Sequence, residues 1–257
     1  MIHALLIGFV QGITEFLPIS SSGHLVLLSK VLKIGSPSLA EDVMMHGGTL
    51  LSVLLYYRKA IVLLLTKNKA QLGSLLIATI PTLGIAVLFR SYFALLFASG
   101  QTLGLEFILT GCLLLFSETL PVKHTLSAAV MNVWQAMAIG IAQGAAIMPA
   151  ISRSAMTIAT GRIVGLARDE AVSFSFLLSI PIIAISFAVS LLHGELQGYV
   201  NSVTGWVAFF TAFLSGYLAI TMINRWIRRQ KLTIFGYYTL GLGLLITADL
   251  WFFHYFF

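Results

Sequence analysis

The chain has 257 residues, 58% of them hydrophobic and only 9% charged, with a mean hydropathy of +0.97 and a formal net charge of +6. A soluble domain carries roughly 25% charged residues, so composition excludes a water-soluble enzyme and points to a single integral membrane domain over 1–257. The basic residues are spread over short loops, which argues against a nucleic-acid partner and suits anionic lipid; the lone Cys112 excludes a disulfide framework.

In chain order, the first apolar stretch, Ile2–Leu32, is interrupted by "QGITEFLPISSSGH". The N-terminus lacks a basic region, and Gln11 and Glu15 break its apolar run, so a cleavable signal peptide is not expected. Plausible spans follow at Val43–Tyr57, Leu72–Phe89 and Leu103–Leu120, the first short enough to need another turn from Glu41 and Asp42. A second interrupted stretch, Val130–Val164, carries "MPAISRSA"; spans at Val172–Leu192, Trp206–Asn224 and Ile234–Phe256 complete the chain. Backbone that leaves a helix at membrane depth survives only inside protein or beside a water-filled cavity. Both interrupted stretches therefore read as re-entrant hairpins, two half-helices joined at a polar tip.

The hairpins resemble each other. Gln11-Gly12 recurs as Gln143-Gly144, and Ile19-Ser20-Ser21-Ser22 as Ile151-Ser152-Arg153-Ser154, all at an offset of 132. Three spans follow each hairpin, giving repeats over about 1–120 and 130–257. Three is odd, so the second copy enters the membrane from the opposite side, the inverted-repeat plan in which broken helices meet near the midplane. The expected fold is an all-α membrane protein with six transmembrane helices and two re-entrant hairpins. Arg58, Lys59, Lys67 and Lys69 in one loop, and Arg225, Arg228, Arg229 and Lys231 in another, mark the cytoplasmic side. The loop at 194–204 has no Lys or Arg, and Arg90 is the lone cation of the other outer loop. Both termini then lie outside, with Lys30 and Lys33 as exceptions to the rule.

Chemistry gathers at the tips. Gln11 and Glu15, four apart, share a helix face. Ser20, Ser21 and Ser22 stand where a second half-helix begins and N-caps belong, and His24 is one turn from the hydroxyls of Ser20 and Ser21. Ser152, Arg153 and Ser154 occupy the equivalent helix start. Facing helix N-termini with a planar guanidinium make an anion site, and an ionisable group at that depth favours a functional explanation. Plainer readings compete: serines as caps alone, His24 as a packing residue, and Glu15–Arg153 as a structural ion pair between hairpins. His46 in "HGGT", Glu106, Glu118 and Asp249 lie near span ends, where solvated or interfacial roles are expected.

These motifs resemble the bacterial undecaprenyl-diphosphatases linked to bacitracin resistance. "QGITEFLPISSSGH" is similar to the family's N-terminal signature and "PAISRSAMT" to its second, with "HGGTLLSVLLYYR" and "SFLLSIP" also familiar. The resemblance implies hydrolysis of undecaprenyl diphosphate to the monophosphate in the bacterial cell (inner) membrane, at a site facing outside. Position by position it implies Glu15, Ser21, His24 and Arg153 as catalytic residues, with Ser20, Ser22, Ser152, Ser154 and Thr157 binding substrate. A divalent cation, Mg²⁺ or Ca²⁺, held partly by Glu15 and Gln11, would offset the excess negative charge of the diphosphate. Ser21 or a water attacks the terminal phosphorus, with Glu15 or His24 taking the proton. Ala150 and Ala155 stand where the family usually has glycine, which puts the shape of the second tip in question. Expected partners are a prenyl diphosphate lipid, membrane lipid and, as a candidate, a second copy in a homodimer. The rival readings are a secondary transporter or lipid flippase built on the same broken helices, and a structural membrane scaffold.

Overall fold

A computed structural model describes residues 1–35, 37–120, 126–227 and 230–256. Arg228, Arg229 and the side chain of Arg90, used above to assign sidedness, lie outside the described residues. Among those described, the regular structure is helical, apart from an isolated bridge between Leu126 and Leu166.

The first interrupted stretch folds as α1 (Ile2–Phe16) and α2 (Ser21–Val31), and the second as α8 (Val133–Ala145) and α9 (Arg153–Ile163). At 1.5 Å per residue these half-helices reach roughly 16–23 Å, short of a ~30 Å hydrocarbon core. Between the hairpins lie α3 (Leu39–Tyr56), α4 (Arg58–Thr66), α5 (Lys69–Leu88), α6 (Arg90–Ser99) and α7 (Leu103–Thr119). After them come α10 (Arg168–Leu192), a short α11 (Gln197–Val200), α12 (Val203–Ile227) and α13 (Thr233–Ala248).

Among the described residues, four helices are long and apolar enough to cross a membrane: α5, α10, α12 and α13 with its extension to Phe253. Helices α3 and α4, bent by 71° at Tyr57, make a fifth crossing if they count together. The short span expected at Val43–Tyr57 does gain a turn, because Ser38 caps α3 through the Glu41 amide. Helix α7 matches the remaining expected span but has 17 residues. Large apolar side chains such as Leu88, Leu192 and Leu245 cover the outer faces, as a bilayer demands of a multi-pass protein.

Each hairpin packs against a helix from the other half of the chain. Helix α1 lies along α12, α8 lies along α5, and α7 pairs with α13. Glycine permits the close approach: a Cβ at Gly8 would sit 2.6 Å from the Ala208 carbonyl oxygen, and one at Gly140 would sit 2.0 Å from that of Ala78. Those two glycines are themselves 132 apart. Small residues at helix crossings replace the hydrophobic drive that lipid removes.

The acidic residues expected at solvated span ends are buried instead. Glu118, at the end of α7, lies between Arg162 of α9 and Arg168 of α10, each 2.6 Å away. Arg168 makes a hydrogen bond, whereas Arg162 sits off the donor axis and attracts Glu118 by charge alone. Asp249 accepts from the amides of Tyr255 and Phe256, closing the C-terminal turn. Glu106 accepts from the Ala150 amide at 2.6 Å and from Thr102. Hydropathy reads such charges as solvated because it cannot see partners supplied from distant positions; paired, they tolerate burial.

Candidate active site

The two tips meet. The Ser22 hydroxyl donates to the Pro149 carbonyl oxygen at 2.5 Å, and the Ser154 hydroxyl donates to that of Leu17 at 3.1 Å. Both donors and both acceptors are related by the offset of 132. Ser20 adds a second bond to Pro149 at 3.2 Å while capping α2 through the Gly23 amide. Ser152 caps α9 through the Ala155 amide. The N-termini of both half-helices thus converge, with their first N–H groups unused by the helix itself.

At the junction, Glu15 is buried, and both of its oxygens have partners. Its Oε2 accepts from the Ser21 hydroxyl at 2.6 Å and from the Gln11 amide at 3.0 Å, while Oε1 receives Arg153. The carboxylate therefore connects a hydroxyl of the first tip to a guanidinium of the second. The ion pair foreseen as a plain structural alternative is present. It is not the whole arrangement, because Ser21 is held at proton-transfer distance of the same carboxylate.

His24 goes elsewhere. Its Nδ1 lies 2.6 Å from the Ser20 carbonyl oxygen, not from a serine hydroxyl. A carbonyl only accepts, so Nδ1 carries the hydrogen and Nε2, in the neutral ring, accepts from Tyr238 Oη at 2.8 Å. The ring stacks on Tyr238 and meets Phe107 edge-on. Thr157 is likewise turned away, bonded to the Arg153 carbonyl and lying 2.6 Å from Ser175.

The histidine that reaches the carboxylate is His46, expected above to be interfacial. Its Nε2 is 3.6 Å from Glu15 Oε2 and 3.4 Å from the Gln11 amide nitrogen. Its Nδ1 is fixed by the Asp42 carbonyl at 2.9 Å. Helix α3 brings it there because Gly47 and Gly48 let that helix press against Phe187 and Phe209. A histidine followed by two glycines inside a span was the available signal.

Ala150 and Ala155 fit without strain: neither has a positive φ, and both are buried. The Ala150 methyl rests beside Gly23, where a Cβ would come within 3.1 Å of it and 2.6 Å of Phe107. The glycine that this junction requires is Gly23. Ser20 alone at the tips carries the strain, with φ 69°, next to Ser21.

No group of three or more His, Cys, Asp or Glu suited to a metal occurs among the described residues. Gln11 Oε1, however, is buried without a hydrogen-bond partner beside Glu15. Such a donor pair fits a cation that takes its other ligands from phosphate oxygens and water, as Mg²⁺ commonly does.

The sequence matches the family model described as "Bacitracin resistance protein BacA" over residues 4–245. It is 42% identical to an undecaprenyl-diphosphatase of Carboxydothermus hydrogenoformans, over 95% of each chain. A relative of the same name from Halothermothrix orenii is 40% identical over 93% of this chain and 94% of its own. Another from Rhodopirellula baltica is 36% identical over 96% of each.

Proposed function

This chain belongs to the bacitracin resistance protein BacA family, and we propose that it is an undecaprenyl-diphosphatase, cleaving the diphosphate of the lipid carrier to the monophosphate and phosphate. The observation that carries this reading is the Ser21 hydroxyl held 2.6 Å from Glu15, whose other oxygen receives Arg153. A nucleophile, a base and a phosphate-binding cation meet around one carboxylate. A transporter or scaffold has no use for a hydroxyl so placed.

In the mechanism, Arg153 and the N-termini of α2 and α9 hold the phosphates and stabilise charge in the transition state. Glu15 removes the Ser21 proton as Ser21 Oγ attacks the terminal phosphorus and undecaprenyl phosphate departs. Water then releases phosphate from the serine. Ser152 and Ser154 shape the Arg153 tip, and Ser20 and Ser22 shape the Ser21 tip. His24 positions the α2 start through the Ser20 carbonyl, and Thr157 steadies the first turn of α9. A divalent cation, when bound by Glu15 and Gln11, would supply Lewis-acid neutralisation of the phosphate charge.

The chain is read as an inverted repeat, over about 1–120 and 130–257, with the tips near the midplane. The reciprocal Ser22–Pro149 and Ser154–Leu17 bonds support this, as does the packing of each hairpin on the opposite half. The basic loops at 58–69 and 225–231 support an opening of the site on the outer face of the cell membrane.

Phosphate release from undecaprenyl diphosphate by the purified chain, with and without Mg²⁺ or Ca²⁺, is the test. Release that disappears in a folded Glu15→Gln variant is expected. A folded, metal-supplied wild type that releases none would overturn the reading.

A further inference from the structure

Beside the first tip lies an apolar groove of about 380 Å³, walled by Leu17, Ile19, Met222, Ile223, Phe235 and Tyr238. It runs from the tip loop along the last turns of α12 and the first turns of α13. We propose that this groove receives the first isoprene units of the substrate, so that the lipid's α-phosphate faces the groove and its terminal phosphate faces Ser21. The inference rests on the diphosphatase reading above.

Continuity with the site carries the argument. Leu17 and Ile19 flank the break that leads into Ser20 and Ser21, and the Leu17 carbonyl is the one Ser154 holds. Tyr238 serves both regions: its ring lines the groove, and its hydroxyl donates to the His24 ring that fixes the Ser20 carbonyl. A diphosphate seated against Ser21 has its covalent tail directed at that wall, and the groove's own surface is almost wholly apolar. The volume is at the lower end for a ligand cavity, so it takes the start of the chain and leaves the remainder to the bilayer. Met222 and Ile234, both more than half exposed, form the mouth on the face where lipid would lie.

An ordinary acyl chain could fill an apolar groove equally well, and the experiment separates the two occupants. Met222→Trp and Ile234→Trp narrow the mouth, and Leu214→Trp, on the same helix outside the groove, is the control. With the full-length protein in detergent, KM is measured for dimethylallyl, farnesyl and undecaprenyl diphosphates. The two mouth variants should raise KM for the longer substrates about tenfold, the scale on which apolar pockets discriminate. They should leave turnover of dimethylallyl diphosphate unchanged, and the control should alter neither. Equal effects on all three substrates, or none, would refute the groove.

Because a tryptophan variant could fail to fold, a farnesyl diphosphate carrying a photoreactive terminal group is also cross-linked to the wild type. Label is expected between residues 222 and 238, displaced by farnesyl diphosphate but not by phosphatidylglycerol. Label elsewhere, or displacement by both, would overturn the assignment. A wild type that cleaves none of the three substrates would defeat the diphosphatase reading, and the cross-link then still decides whether the groove binds a prenyl chain.

Discussion

The two hairpin tips share a backbone plan and divide the chemistry between them. Ser20 and Ser152 cap equivalent helices, and Ser22 and Ser154 reach across to equivalent carbonyls. At the offset of 132 the hydroxyl of Ser21 corresponds to the guanidinium of Arg153, and the carboxylate of Glu15 corresponds to the aliphatic Ile147. In the proposed mechanism the reacting groups thus sit on one tip and the fixed positive charge on the other. The strain is asymmetric as well, since Ser20 has φ 69° where Ser152 has an ordinary −72°. On the proposed reading, a duplicated scaffold supplies two anion-facing helix starts, and single substitutions on it make one a reaction centre and the other a clamp.

The sharpest way to break this division is to remove the reacting pair. Ser21→Ala and Glu15→Gln should each lower kcat by about 10³-fold, the order expected for a nucleophile and its base. The double variant should be no worse than either single one, because groups acting as a unit are not additive. Phosphate release across the set checks this. Additive losses would mean that Glu15 serves the clamp rather than the hydroxyl.

Stability should divide differently from activity. The second hairpin is tied down by Glu118, which bridges Arg162 and Arg168 in the interior. The position equivalent to Arg162 in the first hairpin is Lys30, which is exposed. Glu118→Ala strands the buried Arg162 and the partly exposed Arg168 and should cost about 3 kcal/mol, at the lower bound for breaking a buried pair. A lower melting temperature in detergent, with near-normal kcat in the folded fraction, is the expected pattern. Loss of kcat without loss of stability would move Glu118 into the catalytic machinery.

At the clamp, Arg153→Ala should reduce kcat/KM about 10²-fold, as for removal of one transition-state donor. Arg153→Lys should recover only part of this, because a point charge cannot reproduce the planar fork. Kinetics with a fixed prenyl chain measure both. Full recovery by lysine would mean that charge alone matters at this tip.

The breaks in the two apolar stretches and helices over the expected apolar runs were legible from local pattern, and the Glu15–Arg153 pair was one of the alternatives the sequence offered. Proline and serine interrupt apolar runs, a four-residue spacing sets a helix face, and an internal offset aligns the tips. What escaped was supplied from a distance. His24 had the right spacing to reach a serine hydroxyl, yet the nearer Ser20 carbonyl and Tyr238 captured both ring nitrogens. Glu118 looked like a span-end charge because its arginines lie 44 and 50 residues further along. The concern over Ala150 dissolved at Gly23, a residue of the opposite tip.

His46 tests whether the first tip's chemistry is confined to its own hairpin. It belongs to α3, yet it accepts from the Gln11 amide that also donates to Glu15, and its ring is fixed by the Asp42 carbonyl. We predict that it acts through those neighbours, as a positioning residue. His46→Ala should lower kcat about tenfold with little change in KM, the range in which loss of an orienting hydrogen bond misplaces a base. His46→Gln, which retains a side-chain acceptor, should restore part of the loss. Melting temperatures measured beside the kinetics separate positioning from packing. A residue that only packs would lower stability in both variants and leave kcat of the surviving enzyme intact, because Glu15 would then hold Ser21 without help from α3.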